Sequence, residues 1–272
     1  MRRPDSLYDC ARPDAVVGVG EGRALYIGSL GRVDWHVHGT AALVAGMAGR
    51  IRLGLAGGQW LRCHAAVIPA GVAHTLELNG NPLAVLYVEP QIASISGLAH
   101  LGTHWESQGD VLIGRCIALE MFHEIYQNRH SLTYAAEALD DLLRFAQTGD
   151  RAIVDPRLHR VIRKLADDPR DMTPLDVFAR HEGVSRRELM ALFRRDMGVR
   201  FRQFRIWNRL RAATQVALSG RNLTEAAHAV GFTDSAHYAR QYHEMFGVTP
   251  SSVLRRVARI GRLDRRRDRS IA

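Results

Sequence analysis

Lysine is almost absent from this chain: Lys164 is the single one among 37 basic residues in 272. Its positive charge therefore sits on planar guanidinium forks, suited to bidentate contacts with phosphate and guanine edges, rather than on ammonium point charges. Cysteine is scarce as well. Cys10, Cys63 and Cys116 are odd in number, scattered and without CxxC spacing, which supports neither a disulfide framework nor a structural zinc site and leaves inert thiols. No apolar run approaches the ~18 residues of a membrane span, and the opening MRRPDSLYDCARPD has no apolar core for a signal peptide. A cytoplasmic protein without membrane contact is expected.

Charge is unevenly placed. Residues 151–272 hold 26 basic against 13 acidic side chains, net +13, whereas residues 1–150 hold 11 against 15, net −4. A GC-rich genome accounts for arginine over lysine, but not for an excess confined to one half. Two domains are expected, the second with a polyanion as partner.

The basic half contains a duplicated helical pair. TPLDVFARHEGVSRRELMALFRRDMG (173–198) reads as a helix, a break at Glu182-Gly183-Val184, and a second helix. Ser185, with Glu188 three residues on, has the form of a capping box, and Gly198 fits the C-terminal cap. Forty-eight positions later Leu175, Ala179 and Gly183 find counterparts in Leu223, Ala227 and Gly231; after one added residue, Leu189, Phe193 and Gly198 match Tyr238, Tyr242 and Gly247. Tyr238, Tyr242 and Phe246 make one apolar stripe on a helix starting near Asp234 or Ser235. Two helix-turn-helix units in register, joined by a long helix over 201–219 carrying Arg202, Arg205 and Arg209, are the reading. Those arginines either lie on a solvated face or meet phosphate.

The segment LTEAAHAVGFTDSAHYARQYHEMFGVTP resembles the signature of the AraC/XylS family of transcriptional regulators, over roughly residues 155–256. The resemblance implies two helix-turn-helix subdomains whose recognition helices enter successive major-groove segments about one turn, ~34 Å, apart. Position by position it places Arg186, Arg187, Met190 and Ala191 on the first reading face and Ser235, Ala236, His237 and Arg240 on the second. Arg187 can fork onto guanine O6 and N7, His237 or Arg240 can address a purine edge, and Met190 and Ala191 can touch a thymine methyl. Arg240 has an alternative role, bracing its helix against Asp234 or Glu244. Tyr238 and Tyr242 stand where the family usually has Phe, and His243-Glu244 where basic residues are common. The arginine-rich residues 257–272 are expected to be a disordered arm adding salt-sensitive affinity for DNA.

In the other half, residues 15–90 are rich in Gly and in short Val/Ile/Leu alternations, with turn signals at Gly57-Gly58 and Asn79-Gly80, which predicts a sandwich or barrel. WHVH (35–38) puts His36 and His38 on one side of a strand, and IPAGVAHTLELN (68–79) presents His74. These fragments resemble the two motifs of a cupin barrel, but the glutamate that follows HxH in that family is absent. Three imidazoles could still hold zinc, nickel or iron in an open site. The favoured reading has them lining an effector pocket with Arg52 and Trp60, with no metal and no cofactor. Residues 110–148 carry helical spacing, with Leu139, Leu142, Leu143 and Ala146 in one stripe, and either cover the barrel or pair two protomers.

The fold class is therefore α+β and multi-domain: a cupin-like effector-sensing and dimerisation unit over 1–146, a linker near 147–156, a double helix-turn-helix unit over 157–256, and the arm. The function expected is sequence-specific binding of promoter DNA under control of a small-molecule effector, by a homodimer, with RNA polymerase as a further candidate partner and no enzymatic activity. The alternative is a metal-dependent cupin enzyme, dioxygenase or isomerase, fused to a DNA-binding module, with His36, His38 and His74 as ligands.

Overall fold

Short segments of Val, Leu, Ile and Ala whose side chains alternate between two faces build the N-terminal half. The computed structural model describes residues 15–128, 131–146, 154–257 and 259–263. Nine strands come first: β1 (Ala15–Gly20), β2 (Arg23–Ser29), β3 (Arg32–Val37), β4 (Ala41–Gly46), β5 (Ile51–Leu55), β6 (Trp60–Cys63), β7 (Ala65–Ile68), β8 (Ala73–Glu77) and β9 (Pro82–Val88). After them run α1 (Ile95–Ala99), the hairpin β10 (Gly102–Gln108) and β11 (Val111–Cys116), α2 (Leu119–Tyr126) and α3 (Leu132–Ala146). One sheet has the order β10-β11-β7-β4-β9-β2-β1, and β3-β8-β5-β6 form the other.

The strands β1, β2, β4, β7 and β9 of the larger sheet are buried on both faces and read as nearly continuous apolar runs, whereas the β10–β11 hairpin at its edge is largely open. On β4, Ala42 and Val44 join the core beneath the smaller sheet, while Leu43 and Ala45 join a second core on the opposite face. That second core is closed by Leu98 of α1, Phe122 and Ile125 of α2, and Leu132, Ala136 and Leu139 of α3. These helices therefore cover the barrel. Leu139 of the expected stripe is buried; the side chains of Leu142, Leu143 and Ala146 lie outside the described residues. The helical reading of residues 110–148 is corrected at its start, because Val111–Cys116 is a strand that pairs with β10 and β7. Six residues are too few for periodicity to separate helix from strand, and here the edge of β7 decides.

The C-terminal half is helical: α4 (Pro156–Asp167), α5 (Leu175–His181), α6 (Arg186–Met197), α7 (Phe201–Leu218), α8 (Leu223–Ala229), α9 (Ser235–Phe246) and α10 (Pro250–Leu254). A last strand, β12 (Arg259–Arg262), returns to the barrel and pairs in parallel with β1, from Val16↔Arg259 to Val19↔Arg262. This corrects the expectation of a disordered arm for the residues up to 263; the remainder of the arm lies outside the described residues. β1 would otherwise offer an open edge of backbone donors and acceptors, and the fully buried Leu263 fills the space over Gly18, where a Cβ would stand 2.7 Å from its Cγ. The core of the barrel continues without a break into the helical half through Trp207, Tyr242 and Met245.

Candidate functional site

The two helical pairs repeat each other in detail. Ala179 and Ala227 are buried where the helices of each pair cross, and Leu189, Phe193, Tyr238 and Tyr242 are buried beneath α6 and α9. Gly198 and Gly247 close those helices in the left-handed region at φ 70° and 69°. Ser185 caps α6 by accepting from the Glu188 amide at 3.1 Å, but Glu188 turns to Arg157 at 2.9 Å, so the reciprocal half of the expected capping box does not form. The complete box is at Asn222 and Glu225 of α8. Asp234 caps α9 through the His237 amide at 2.7 Å.

With their stripes buried, the opposite faces of α6 and α9 are open at the N-terminal ends. Arg186, Arg187 and Ala191 are exposed and Met190 is half-buried; Ala236 and Arg240 are exposed, with Ser235 and His237 half-buried beside them. Arg186, Arg187 and Arg240 form no salt bridge among the described residues, although Arg240 is near enough to Asp234 for its charge to help, after the backbone hydrogen bond from His237, to hold that carboxyl below its usual range. His237 is positioned: its Nδ1 is 3.2 Å from Thr233 Oγ1 and its ring meets the Phe232 ring edge-on at 5.3 Å.

Two arginines of α7 belong to neither of the roles expected for them. Arg205 stacks over Phe201 at 4.3 Å and donates to the Thr173 carbonyl. Arg209 is buried and donates to the Pro169 carbonyl at 3.0 Å. Both tie the α4–α5 connection to the long helix. Arg202 remains exposed.

Behind the reading faces lies a seam between barrel and helices. The Asp34 amide of β3 donates to the Gly247 carbonyl at 2.9 Å, and Gly39 N–H meets Met245 Sδ at 2.9 Å. Glu89, 2% exposed, accepts from the Trp207 indole at 2.8 Å and stands 3.6 Å from Arg211 Nε. Arg211 in turn donates to the Gly20 carbonyl at 2.6 Å and Asn208 Oδ1 at 2.9 Å. An apolar cavity opens along this seam between Val17, Tyr26 and Tyr87 of the barrel and Trp207, Tyr242 and Phe246 of the helices, with about 70 Å³ of room for water-sized atoms.

His36, His38 and His74 meet at the edge of the seam. Their rings are mutual neighbours, with centroids 4.7, 4.1 and 4.5 Å apart, and all three are buried. Desolvation, with repulsion from the neighbouring imidazoles, pulls His36 down to about 3 and His38 well below the ordinary histidine range. Desolvation likewise lowers His74 to about 4, so all three rings are neutral at pH 7. Burial pushes the thiols of Cys63 and Cys116 up to about 11, as befits inert cysteines; Cys10 lies outside the described residues.

A sequence profile of a helix-turn-helix domain matches residues 178–256, which span the second helix pair and most of the first. The C-terminal half thus carries a helix-turn-helix domain of AraC type. The transcriptional regulator GlxA of Rhizobium meliloti is 31% identical over 161 residues, which cover 53% of this chain and 48% of that protein. The regulator NimR of Escherichia coli is 21% identical over 242 residues, 83% of each chain. The chain thus spans about half the length of the first of these relatives. The crystal structure of ToxT from Vibrio cholerae superposes with a TM-score of 0.59 at 13% identity, covering 88% of this chain and 99% of that one, which establishes a shared two-domain fold.

Within the AraC-type domain the structure places the eight expected reading residues on the two open helix faces. It does not gather the expected effector pocket. His36, His38 and His74 are together, but Arg52 pairs with Glu77 and stacks at 4.7 Å over the half-exposed Trp60 on the outer face of the smaller sheet. The cause is strand alternation: on β8 His74 and Leu76 point inward and Glu77 outward, and Arg52 sits opposite Glu77 in the register. Sequence reading missed Glu89, Trp207 and Arg211, which carry the polar contacts of the seam with the AraC-type domain. A buried acid and a buried arginine 122 positions apart leave no local pattern to find.

Proposed function

We propose that this protein is a sequence-specific transcriptional regulator of double-stranded promoter DNA, controlled by a small molecule bound between its barrel and its AraC-type domain. The observation that carries the reading is the repeated helix pair, each copy burying its apolar stripe and leaving the N-terminal half of its second helix open with exposed arginine. Residues 1–146 act as the sensing unit and 157–256 as the DNA-binding unit. The effector site is the seam cavity, apolar along most of its wall with Arg211 at its edge, and it suits a molecule with an apolar body. A ligand there contacts both units, so it favours one placement of the reading helices over another by its differential affinity for the two. A cytoplasmic homodimer occupying two sites gains affinity through effective concentration, with RNA polymerase as the further partner. The matched relatives are named as transcriptional regulators, which favours this reading over a cupin enzyme.

The test is binding of the full chain to fragments of its own upstream region against a length-matched random duplex, titrated in salt. Preference for one fragment that survives physiological salt is expected. Equal affinity for all duplexes, falling together as salt rises, would identify a non-specific polyanion binder instead.

A further inference from the structure

The arginines of the barrel divide into two sets. Arg23 pairs with Asp140, Arg32 with Asp34 and Arg52 with Glu77. Arg50, Arg62 and Arg115 form no salt bridge among the described residues, and all three line one cleft of about 370 Å³. The cleft opens where β6, the edge strand of the smaller sheet, faces the β10–β11 hairpin, with Arg50 just before β5, Arg62 on β6 and Arg115 on β11. His64, His104 and one carboxylate, Glu106, complete its rim. Like charges gathered at one opening repel one another, and this gathering lies in a half of the chain that carries more acid than base. The walls are also held in place. Arg50 Nε donates to His64 Nε2 at 3.3 Å. The Trp105 indole donates to the Ala99 carbonyl at 2.6 Å, and its ring lies against Gly114, where a Cβ would stand 2.6 Å from Cε3. His104 sits where the β10–β11 register slips, at φ 55°, a left-handed conformation uncommon for a residue with a Cβ. A bulge of this kind re-aims a side chain, and this one belongs to the cleft.

We propose that this cleft binds a small phosphate monoester, its phosphoryl oxygens held by the guanidinium groups of Arg50, Arg62 and Arg115. Guanidinium forks give phosphate charge-assisted, bidentate hydrogen bonds, which an ammonium point charge does not. Charge selects the monoester. Three guanidinium groups against the Glu106 carboxylate leave two positive charges, and a phosphate monoester carries about −1.5 to −2 at pH 7, whereas each phosphodiester of a duplex carries one negative charge. Position points the same way. In the order β3-β8-β5-β6 the cleft is at the edge farthest from β3, the strand on which α9 docks by its C-terminal end, while the open face of α9 is at its other end. The cleft shares no lining residue with the apolar seam cavity, and the proposal does not rest on the DNA-binding reading.

Glycerol 3-phosphate is the probe. Titrated calorimetrically into the full chain at low ionic strength, it is expected to bind saturably at one equivalent, while glycerol gives no binding heat. Arg50→Ala and Arg115→Ala are each expected to weaken it by roughly 10-fold or more, the worth of one charge-assisted bond. Arg202→Ala, at an exposed arginine of α7, should leave the titration unchanged. Both cleft arginines are exposed, and losing one relieves repulsion, so these variants should melt no lower than the wild type. A lower melting temperature would mean that the fold already uses the guanidinium, and would overturn the proposal. So would the absence of saturable binding at millimolar probe, or an equal loss in Arg202→Ala, which would make the basic surface as a whole the binder. A loss of affinity for duplex DNA in Arg115→Ala as large as the loss for the probe would assign the cleft to the duplex backbone instead.

Discussion

The two helix-turn-helix units share a plan and differ in what stands behind them. In the first, α6 buries Leu189 and Phe193, and its C-terminal Gly198 meets the barrel lightly, a Cβ there standing 3.4 Å from Ala70. In the second, α9 buries Tyr238 and Tyr242, and its last turn is built into the barrel: the Gly247 carbonyl accepts from Asp34, Met245 from Gly39, and the Phe246 ring meets Tyr87 at 5.5 Å. Duplication of the fold has not duplicated the role. Both helices leave an open face at the N-terminal end, but only the second is also tied to the barrel by hydrogen bonds of its last turn. The departures from the family pattern fall on this same helix. Tyr242 faces the seam cavity, and His243 reaches Asp34 at 3.2 Å instead of facing a phosphate.

The strongest way to break this asymmetry is to remove the polar centre of the seam. Glu89→Ala leaves the buried Arg211 without its carboxylate and the Trp207 indole without an acceptor. Stability of the full chain to urea should fall by about 3–5 kcal/mol, the cost of orphaning a buried charge. A loss below 1 kcal/mol would mean that water enters the seam freely. Glycine caps give the next largest effect and a direct comparison of the two units. Alanine at either cap carries roughly 1–2 kcal/mol of left-handed strain. At Gly247 its Cβ would also press on the Asp34 carbonyl oxygen and stand 2.7 Å from Val33 Cγ1 and 2.8 Å from His36 Nδ1. Overpacking of that kind adds about 1–3 kcal/mol, so Gly247→Ala should be clearly more destabilising than Gly198→Ala in parallel urea titrations. Equal losses would show the seam open in solution.

The same asymmetry explains what could be read in advance. The helix pairs were legible because their determinants are local: Ala179 and Ala227, Gly198 and Gly247, and the stripes recur at fixed offsets that a linear pattern preserves. The barrel was legible in class and in its inward histidines, because alternation is local too. Its extent was not, since VLIGRC is as apolar as a buried helix turn and becomes a strand only because β7 has an edge to fill. Arg205 and Arg209 looked like solvent or phosphate ligands because sequence records charge but not the carbonyls of Pro169 and Thr173 that receive it. β12 was invisible for a related reason: its arginines read as a solvated arm, and the partner that orders it is β1, at the other end of the chain.

Reading itself should be shared more evenly than docking. Arg187→Ala and His237→Ala are each expected to weaken binding to the preferred duplex by about 1–3 kcal/mol and to relax preference at a base or two. Competition titrations with single-base-pair substitutions check this. Because Arg187 makes no salt bridge among the described residues, Arg187→Lys should also lose discrimination, a point charge replacing the fork. Loss of equal size on random DNA would assign either residue to phosphate instead.

The smallest effect expected is at the outer rim of the seam. Asp34 and His243 pair at 3.2 Å, with side chains 56% and 41% exposed, so water screens both. Such a pair contributes about 0–1 kcal/mol, and less as salt rises. Asp34→Ala removes the carboxylate but keeps the backbone amide that donates to Gly247, so the docking bond survives the substitution. The melting temperature of the full chain should therefore fall by no more than about 2–4 °C, with the difference from wild type shrinking in high salt. A larger, salt-insensitive drop would mean that the rim pair, rather than the buried Glu89–Trp207–Arg211 group, holds α9 to the barrel, and the order of effects argued above would reverse.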